Sequence, residues 1–288
     1  MDVDVVICAK NRANDLERIL PQISKVIPFK NLIIVYGTSS DRTRQIAEEH
    51  SEKVFWDGNK GLGAARRLGI SKATSEIVAM VDTDIQIPKG WFNQLIGNFQ
   101  DPEVAAVMGT CIYGYGCRPI ESYWEYNRRT AHSNYGCHNT LFKRDIVLSV
   151  GNFDENISGA GEDHDLYMRL LAAGYKWVWV RNAKVYHPMT MWEYAKHARW
   201  WAKSSPNINR VADYVRDKSL PRLYAAKVSS LVEATKKGIT MSFSVHPTFL
   251  VYYPAISVMC TLDVLKEYKK VNKRTGAQSR TSKISTFN

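Results

Sequence analysis

The sequence predicts an α/β fold in which a mostly parallel sheet is flanked by helices, with a helical region behind it. Two observations support this prediction. Apolar runs typical of strands alternate with helix-spaced apolar residues over positions 3–81, and positions 189–288 differ from the rest in charge. With 288 residues, 45% of them hydrophobic, the chain can bury one large core and a smaller appendage. We therefore expect a domain over residues 1–188 and a second region over 189–288.

The first elements follow the order β-α-β-α-β-α-β. The predicted strands are Val3–Ala9, Asn31–Tyr36, Val54–Trp56 and Glu76–Val81. The predicted helices between them are Arg12–Val26, Arg42–His50 and Leu62–Ala73. The turn Gly37–Asp41 ends at the N-cap of the second helix. This order favours parallel strands joined by helical crossovers, and ligands of such sheets bind at the carboxyl ends of the strands.

The middle of the chain has another texture. Residues 104–142 are rich in Tyr, Trp, Gly and Cys and have few regular periods, as expected of strands and loops that line a cleft. A helix that Gly174 terminates, two strand-like segments and an aromatic helix are predicted after it. These are Asp163–Ala173, Trp177–Val180, Lys184–Tyr186 and Met191–Lys203.

The C-terminal third carries all of the net charge. Residues 189–288 hold 17 Lys and Arg against 6 Asp and Glu, and the net charge of the whole chain is +11. Such a region suits nucleic acid, an anionic membrane or another acidic partner. Residues 238–262 contain no charged side chain, but Pro247, Pro254 and His246 make them a poor single span. An interfacial or re-entrant element is favoured there over a transmembrane or a packed core helix, and disorder is predicted after Tyr268.

The cysteines favour a reducing compartment. There are five, with no C-x-x-C spacing, so neither a disulfide framework nor a zinc ribbon is indicated. The chain opens with MDVD, which is unlike the basic start of a signal peptide. We therefore expect a cytosolic protein with reduced thiols.

Two groups of carboxylates carry the chemistry. The apolar strand IVAMV runs directly into Asp82 and Asp84, which places negative charge at the sheet edge, where a divalent metal can offset the repulsion. Such a metal suits a diphosphate substrate. The segment GEDHD places Glu162, Asp163 and Asp165 at the start of a helix, where the helix dipole keeps carboxylates ionised. They either cap the helix or include a general base.

Taken together, these segments resemble the family-two inverting glycosyltransferases, whose catalytic domain has a GT-A-type fold. The resemblance covers nearly all of residues 3–188. It rests on six segments in the order of the family: AKNRANDLERIL, SSDRT, NKGLGAARRLGI, VDTD, GNFDE and GEDHDLYMRLLAAGY. It implies a nucleotide-sugar donor, Mg2+ or Mn2+ held by Asp82, Asp84 and His187, and Asp163 as the base. Glu162 would order the loop and the acceptor.

The resemblance also implies a donor-binding set. Arg66 could reach the donor phosphates with its fork of N–H donors. One departure concerns the residues after the second strand, where relatives commonly have two acids and a glycine and this chain has Tyr36, Gly37 and Thr38. The identity of the base therefore stays open, and Asp57 could supply the acid. The predicted donor-binding residues are Ala9, Lys10, Asn11, Tyr36, Asp57, Lys60, Arg66 and Asp82.

The segment KHARW at Lys196–Trp200 resembles the Q-x-x-R-W helix of membrane-associated members of the family, with lysine at the glutamine position. The resemblance implies that Arg199 and Trp200 bind the acceptor, since an indole offers a sugar ring an apolar surface and a guanidinium binds phosphate. The alternative is an aromatic helix packed on the core. The lysine argues against a processive polymer synthase.

The sequence therefore predicts a metal-dependent enzyme that moves a hexose, such as mannose or glucose, from a nucleotide-diphosphate sugar to a lipid-linked acceptor. We expect it at an anionic membrane surface on the cytoplasmic side, held peripherally, interfacially or by a single span. The alternatives are a soluble glycan or protein acceptor, a nucleotidyltransferase, or a nucleic-acid-binding protein. A nucleotidyltransferase is disfavoured because the segment AKNRAND has no glycine for a phosphate loop. A nucleic-acid partner is disfavoured because the net charge of residues 1–188 is zero.

Overall fold

A computed structural model of the chain describes residues 2–130, 135–203, 232–243 and 245–284. The chain divides into two compact units, Met1–Thr190 and Met191–Asn288, so the observed boundary lies two residues beyond the predicted one.

The first unit is built on a seven-stranded sheet. Its strands are β1 (Val3–Ala9), β2 (Asn31–Tyr36), β3 (Lys53–Trp56), β4 (Ile77–Val81), β5 (Val104–Tyr115), β6 (Asn139–Lys143) and β7 (Lys176–Pro188). They lie in the order β3-β2-β1-β4-β6-β5-β7. β1 to β4 pair in parallel, β6 runs antiparallel between β4 and β5, and β7 pairs in parallel with β5. The predicted mostly parallel sheet is confirmed.

Helices cover both faces of this sheet. Those of the first unit are α1 (Ala13–Val26), α2 (Thr43–His50), α3 (Leu62–Lys72), α4 (Trp91–Ile96), α5 (Arg118–Thr130), α6 (Arg144–Ser149) and α7 (Glu162–Ala172). Alternate residues of β1 enter two separate hydrophobic clusters, with Val5 and Ile7 in one and Val6 in the other. A Cβ on Gly69 of α3 would lie 2.4 Å from the Val6 side chain, so glycine lets this helix rest directly on the sheet.

Most predicted elements of the first unit are present. β1 and β2 have the predicted bounds, and the helices and strands up to β4 differ from prediction by one residue at an end. The two strand-like segments predicted after Gly174 form the single strand β7 instead, because a bulge over residues 180–183 keeps the chain paired with β5. The helices α4, α5 and α6 are not predicted from the sequence.

The second unit is helical in its described residues. It contains α8 (Met191–Ala202), α9 (232–243) and α10 (Phe249–Ile284). The Arg199 guanidinium of α8 lies 2.6 Å from an Asp263 carboxylate oxygen of α10, and the ion pair joins these helices. The backbone of α10 is helical beyond Tyr268 as far as Ile284, and the expected disorder of this tail stays a prediction.

The charge-free segment 238–262 is divided between two helices. It includes the end of α9, a turn over 245–248 that contains Pro247, and the first half of α10. Residues Phe249–Lys266 of α10 are long and apolar enough to cross a bilayer, with a mean hydropathy of 1.4. Core helices of soluble proteins and signal sequences can meet the same criterion, so this property alone is a weak indication.

Candidate active site

The two acidic segments meet at one arginine. Arg66 of α3 is buried, and its Nη2 lies 3.2 Å from Oδ1 of Asp82, which follows β4. Its Nη1 donates to Oε1 of Glu162, the first residue of α7. Because Glu162 is only 2% exposed, its charge must be compensated within the protein, and Arg66 does this. Asp82 after β4 and Glu162 at the start of α7 are therefore brought together around Arg66.

Glu162 and Asp163 differ in their surroundings. Burial raises the pKa of Glu162 to about 7, while the Arg66 guanidinium acts in the opposite direction. Asp163 is partly exposed, and its Oδ1 accepts a hydrogen bond from the backbone N–H of His164 at 2.8 Å. Glu162 is thus held in a buried ion pair, whereas Asp163 is oriented by the backbone and partly exposed to solvent. This arrangement suits Asp163 better as a proton acceptor.

Asp84 lies between two cationic or basic groups. Its Oδ2 is 3.2 Å from Nη2 of Arg12, and its Oδ1 is 3.4 Å from Nε2 of His187. Nδ1 of His187 lies 3.1 Å from the carbonyl oxygen of Pro188. Burial acts to lower the pKa of His187, but the Asp84 carboxylate outweighs it and raises the pKa above its ordinary value. Sequence reasoning missed Arg12, although it lies in the AKNRAND segment directly after β1.

The chemistry of these residues fits a divalent metal. A neutral His187 that donates from Nδ1 to Pro188 presents the lone pair of Nε2 to the Asp84 oxygen, and two facing acceptors require a proton or a cation between them. Carboxylate oxygens with one imidazole suit Mn2+ or Mg2+. Across the described ranges, no group of three His, Cys, Asp or Glu side chains is placed to hold a metal ion. Asp84 is paired with Arg12, and Asp82 is paired with Arg66.

Tyr113, a partly buried residue of β5, lies beside His187 and His138. The ring of Tyr113 on β5 lies 5.3 Å from that of His187, and its hydroxyl is 3.4 Å from Nε2 of His138. Burial raises the pKa of Tyr113 well above its ordinary value, and Asp82, Asp84 and Asp163 all add to the shift. The predictions did not include Tyr113 or His138, and their strand and loop positions gave no periodic signal.

Several predicted donor-binding residues gather at the carboxyl ends of β1, β2 and β3. The Gly37 N–H donates to the carbonyl of Ala9 at 2.9 Å, and the Asp57 N–H donates to that of Tyr36 at 3.0 Å. Nζ of Lys10 donates to the side chain of Asn59 at 2.8 Å. A Cβ on Gly37 would lie 3.0 Å from the Lys10 side chain and 3.3 Å from Oδ2 of Asp57. Asp57 therefore lies next to Gly37, and its part as the substitute acid stays a prediction.

Two further predicted residues flank this group. Asn11 has a positive φ of 53°, and its Oδ1 accepts from the backbone N–H of Ser40 at 2.8 Å, which ties the end of β1 to the turn after β2. Nζ of Lys60 lies 3.4 Å from the Glu155 carboxylate, and both side chains are mostly exposed. The Arg44 guanidinium lies 5.7 Å from the centre of the Tyr36 ring.

The first backbone N–H groups of α3 are hydrogen-bonded to a loop of the same unit. The Leu62 and Gly63 N–H groups donate to the carbonyls of Ser158 and Ile157, each at 3.1 Å. A Cβ on Gly63 would lie 2.3 Å from a backbone oxygen of the facing loop, so the glycine permits this close contact. Residues 154–158 of the same unit thus make close backbone contacts with Gly61 and Gly63.

The predicted acceptor residues belong to α8 of the second unit. Nε of Arg199 lies 2.6 Å from Oδ2 of Asp263, so this guanidinium already has an anionic partner. The side chain of Trp200 is exposed. Their part in acceptor binding stays a prediction.

Comparisons with known proteins identify the family of the chain. Residues 4–150 match glycosyl transferase family 2. The chain is 28% identical over 189 residues to a glucosyl-dolichyl phosphate glucuronosyltransferase of Haloferax volcanii, covering 57% of this chain and 59% of that protein. It is 28% identical over 195 residues to a pre-mycofactocin glycosyltransferase of Mycobacterium tuberculosis, covering 60% of this chain and 40% of that protein. The chain thus spans less than two thirds of the length of either relative.

Solved structures share the architecture. A mannosyltransferase from Pyrobaculum calidifontis in complex with GDP-Man and Mn2+ superposes with a TM-score of 0.60 at 18% identity, over 91% of this chain and 86% of that one. A glucosyl-3-phosphoglycerate synthase from Mycobacterium tuberculosis in complex with Mn2+, UDP and phosphoglyceric acid gives 0.53 at 16% identity, over 70% and 75%. At these identities the likeness establishes a GT-A-type fold.

Proposed function

The chain belongs to glycosyl transferase family 2, and we propose that it is an inverting transferase that moves a hexose from a nucleotide-diphosphate sugar to a lipid-linked acceptor. One observation carries the catalytic part of this proposal. Arg66 binds both Asp82 and Glu162, which joins the acidic segment after β4 to the acidic start of α7. The proposed cation site and the proposed base would therefore adjoin.

The donor would occupy the carboxyl ends of β1, β2 and β4. Lys10, Asn11, Tyr36 and Asp57 would contact the nucleoside. Asp82, Asp84 and His187 would hold Mg2+ or Mn2+, which when bound neutralises the charge of the departing diphosphate.

Asp163 would act as the general base. Its Oδ1 is held by the N–H of His164, and the carboxylate would accept the proton of the acceptor hydroxyl. The acceptor oxygen then forms a bond to the anomeric carbon as the bond to the diphosphate breaks on the opposite face, which inverts the configuration. Glu162 would act through Arg66, as a positioning residue that fixes the start of α7.

The lipid acceptor and the cytoplasmic membrane face rest on other observations. The Haloferax volcanii relative is described as acting on a glucosyl-dolichyl phosphate. Residues 189–288 hold the whole net positive charge, which favours an anionic membrane surface. The apolar stretch Phe249–Lys266 suits contact with lipid. Arg199 and Trp200 would then contact the acceptor.

The test uses the whole chain with GDP-, UDP- and dTDP-sugars and Mg2+ or Mn2+. We expect release of nucleoside diphosphate that depends on a polyprenyl phosphate acceptor, whereas equal transfer to soluble glycans would remove the lipid acceptor from the proposal. Asp163→Asn should lose turnover and keep donor binding. Asp165→Asn is the matched control, because this carboxylate pairs with Arg169 one helical turn away, at 2.9 Å from its Nε. Full activity of Asp163→Asn would reject the assigned base.

A further inference from the structure

A cavity of about 550 Å3 lies against β5 and β7. Ile112 pairs with Tyr186 in these strands, and both line the cavity. The next pair, Tyr113 and His187, points to the opposite face, since successive side chains of a strand alternate. This β5–β7 pocket is therefore separated by one layer of sheet from the candidate metal ligand His187. Its volume lies within the range of roughly 300–1,000 Å3 that is usual for small-molecule sites.

A β-bulge builds one wall of the β5–β7 pocket. Met108 pairs with Trp179 and Thr110 pairs with Lys184, so residues 180–183 of β7 lie opposite the single residue Gly109 of β5. A Cβ on Gly109 would lie 2.3 Å from the carbonyl oxygen of Ala183, so the bulge fits only around glycine. It places the Arg181 guanidinium over the Trp179 ring, 3.9 Å from the ring centre. Bulges of this kind re-aim side chains beside functional sites.

The aromatic part of the pocket is fixed by hydrogen bonds. Nε1 of Trp179 donates to Oγ1 of Thr110 at 2.9 Å, and this hydroxyl donates to the Arg181 carbonyl at 2.9 Å. Thr110 itself is buried. Tyr186 supplies a second aromatic side chain to the lining. Preorganised indole and phenol rings pack well against the C–H faces of sugar rings.

The charged groups of the pocket have both signs. α5 contributes Glu121, Glu125 and Arg128, which lie on one face of the helix because they are spaced by four and three residues. β7 contributes Arg181 and Lys184. The carboxylates disfavour a phosphate, and the three cations disfavour a cationic ligand. A neutral polyhydroxyl compound can bind the acidic and the basic side chains alike, because a hydroxyl can donate to a carboxylate and accept from a guanidinium or ammonium group.

We propose that the β5–β7 pocket is a saccharide-binding site separate from the donor site, which takes an uncharged sugar of the acceptor or of the product. The choice of ligand rests on the proposed function, since a glycosyltransferase meets saccharides on both sides of its reaction. Binding in this pocket needs neither the nucleotide nor the metal.

The experiment measures binding of the methyl glycosides of glucose, mannose and galactose, and separately of inorganic phosphate, to the whole chain. It uses saturation-transfer NMR for the glycosides and calorimetry for all ligands, without nucleotide or metal. We expect millimolar binding by the wild type. Arg181→Ala and Glu125→Gln should weaken it at least about tenfold, the loss expected for one charged hydrogen bond. Both side chains are exposed, so folding should be retained. Asp84→Asn, altered in the other cleft, should bind the glycosides like the wild type.

Four results would overturn the proposal: no glycoside binding, equal binding by all variants, loss in Asp84→Asn alone, or binding of inorganic phosphate in place of the glycosides. Failure of the proposed transferase activity is scored separately, because it is measured with donor and metal present and this experiment contains neither.

Discussion

Replacing Arg66 by methionine should destabilise the protein by about 3–5 kcal/mol, the usual cost of removing one partner from a buried ion pair. Glu162 is 2% exposed, so without its cation it must either keep an unpaired buried charge or take up a proton at neutral pH, and both cost free energy. Most of the cost should come from Glu162, because the side chain of Asp82, the second partner of Arg66, is 36% exposed and regains water. A loss of this size is a large share of the roughly 5–15 kcal/mol that stabilises a typical domain.

Urea unfolding at neutral pH, followed by circular dichroism, measures this loss. Arg67→Met is the matched control, since the neighbouring guanidinium donates to the carbonyls of Gly151 and Phe153 and pairs with no buried charge. It should cost about 1–2 kcal/mol. The double variant Arg66→Met with Glu162→Leu should recover much of the stability, because no buried charge is left unpaired. The reasoning is refuted if Arg66→Met costs no more than Arg67→Met, or if the double variant is as unstable as the single one.

Three further predictions follow from the same unit. The pKa of Glu162 is raised from 4.5 to about 7, so its contribution to the free energy of unfolding is fully present below pH 4.5 and is lost as the pH rises to 7. The free energy of unfolding should therefore fall by at most about 1.4 kcal/mol per pH unit in this range. Glu162→Gln should remove this pH dependence from urea unfolding. Arg12→Gln should tighten Mn2+ binding by about tenfold in the absence of nucleotide, because the guanidinium 3.2 Å from Asp84 no longer competes with the metal. Electron paramagnetic resonance of free Mn2+ measures this, and unchanged or weaker binding would contradict it. Gly63→Ala should lower the free energy of unfolding by about 1–3 kcal/mol in thermal or urea unfolding, because its Cβ would lie 2.3 Å from a backbone oxygen. Gly159→Ala is the control and should be neutral, because its Cβ would meet nothing within 4 Å.

The sequence predicts the sheet well where a local pattern decides the structure. β1 and β2 are continuous apolar runs bounded by turn residues, and their bounds are as predicted. The positions of Asp82 and Glu162 are predictable for the same reason, because Asp82 directly follows a clear strand and Glu162 begins a clear helix.

Long-range and irregular features could not be predicted in this way. The pair of Arg66 with Glu162 joins residues 96 positions apart, and nothing in either segment specifies the partner. The bulge at residues 180–183 depends on contact with Gly109 across the sheet, so two strand-like segments were the better local interpretation. α5 has an amphipathic pattern hidden by Tyr and Trp residues, which suit strands equally well.

The closure of the start of α3 by residues 154–158 has a thermodynamic consequence for the proposed donor. Many nucleotide-binding α/β proteins stabilise phosphate with the free amides of a helix N-terminus, but here the amides of Leu62 and Gly63 are already satisfied by carbonyl oxygens. A diphosphate would have to draw its electrostatic stabilisation from side chains and a divalent ion instead. Donor affinity, and not merely turnover, should then collapse when a chelator is added.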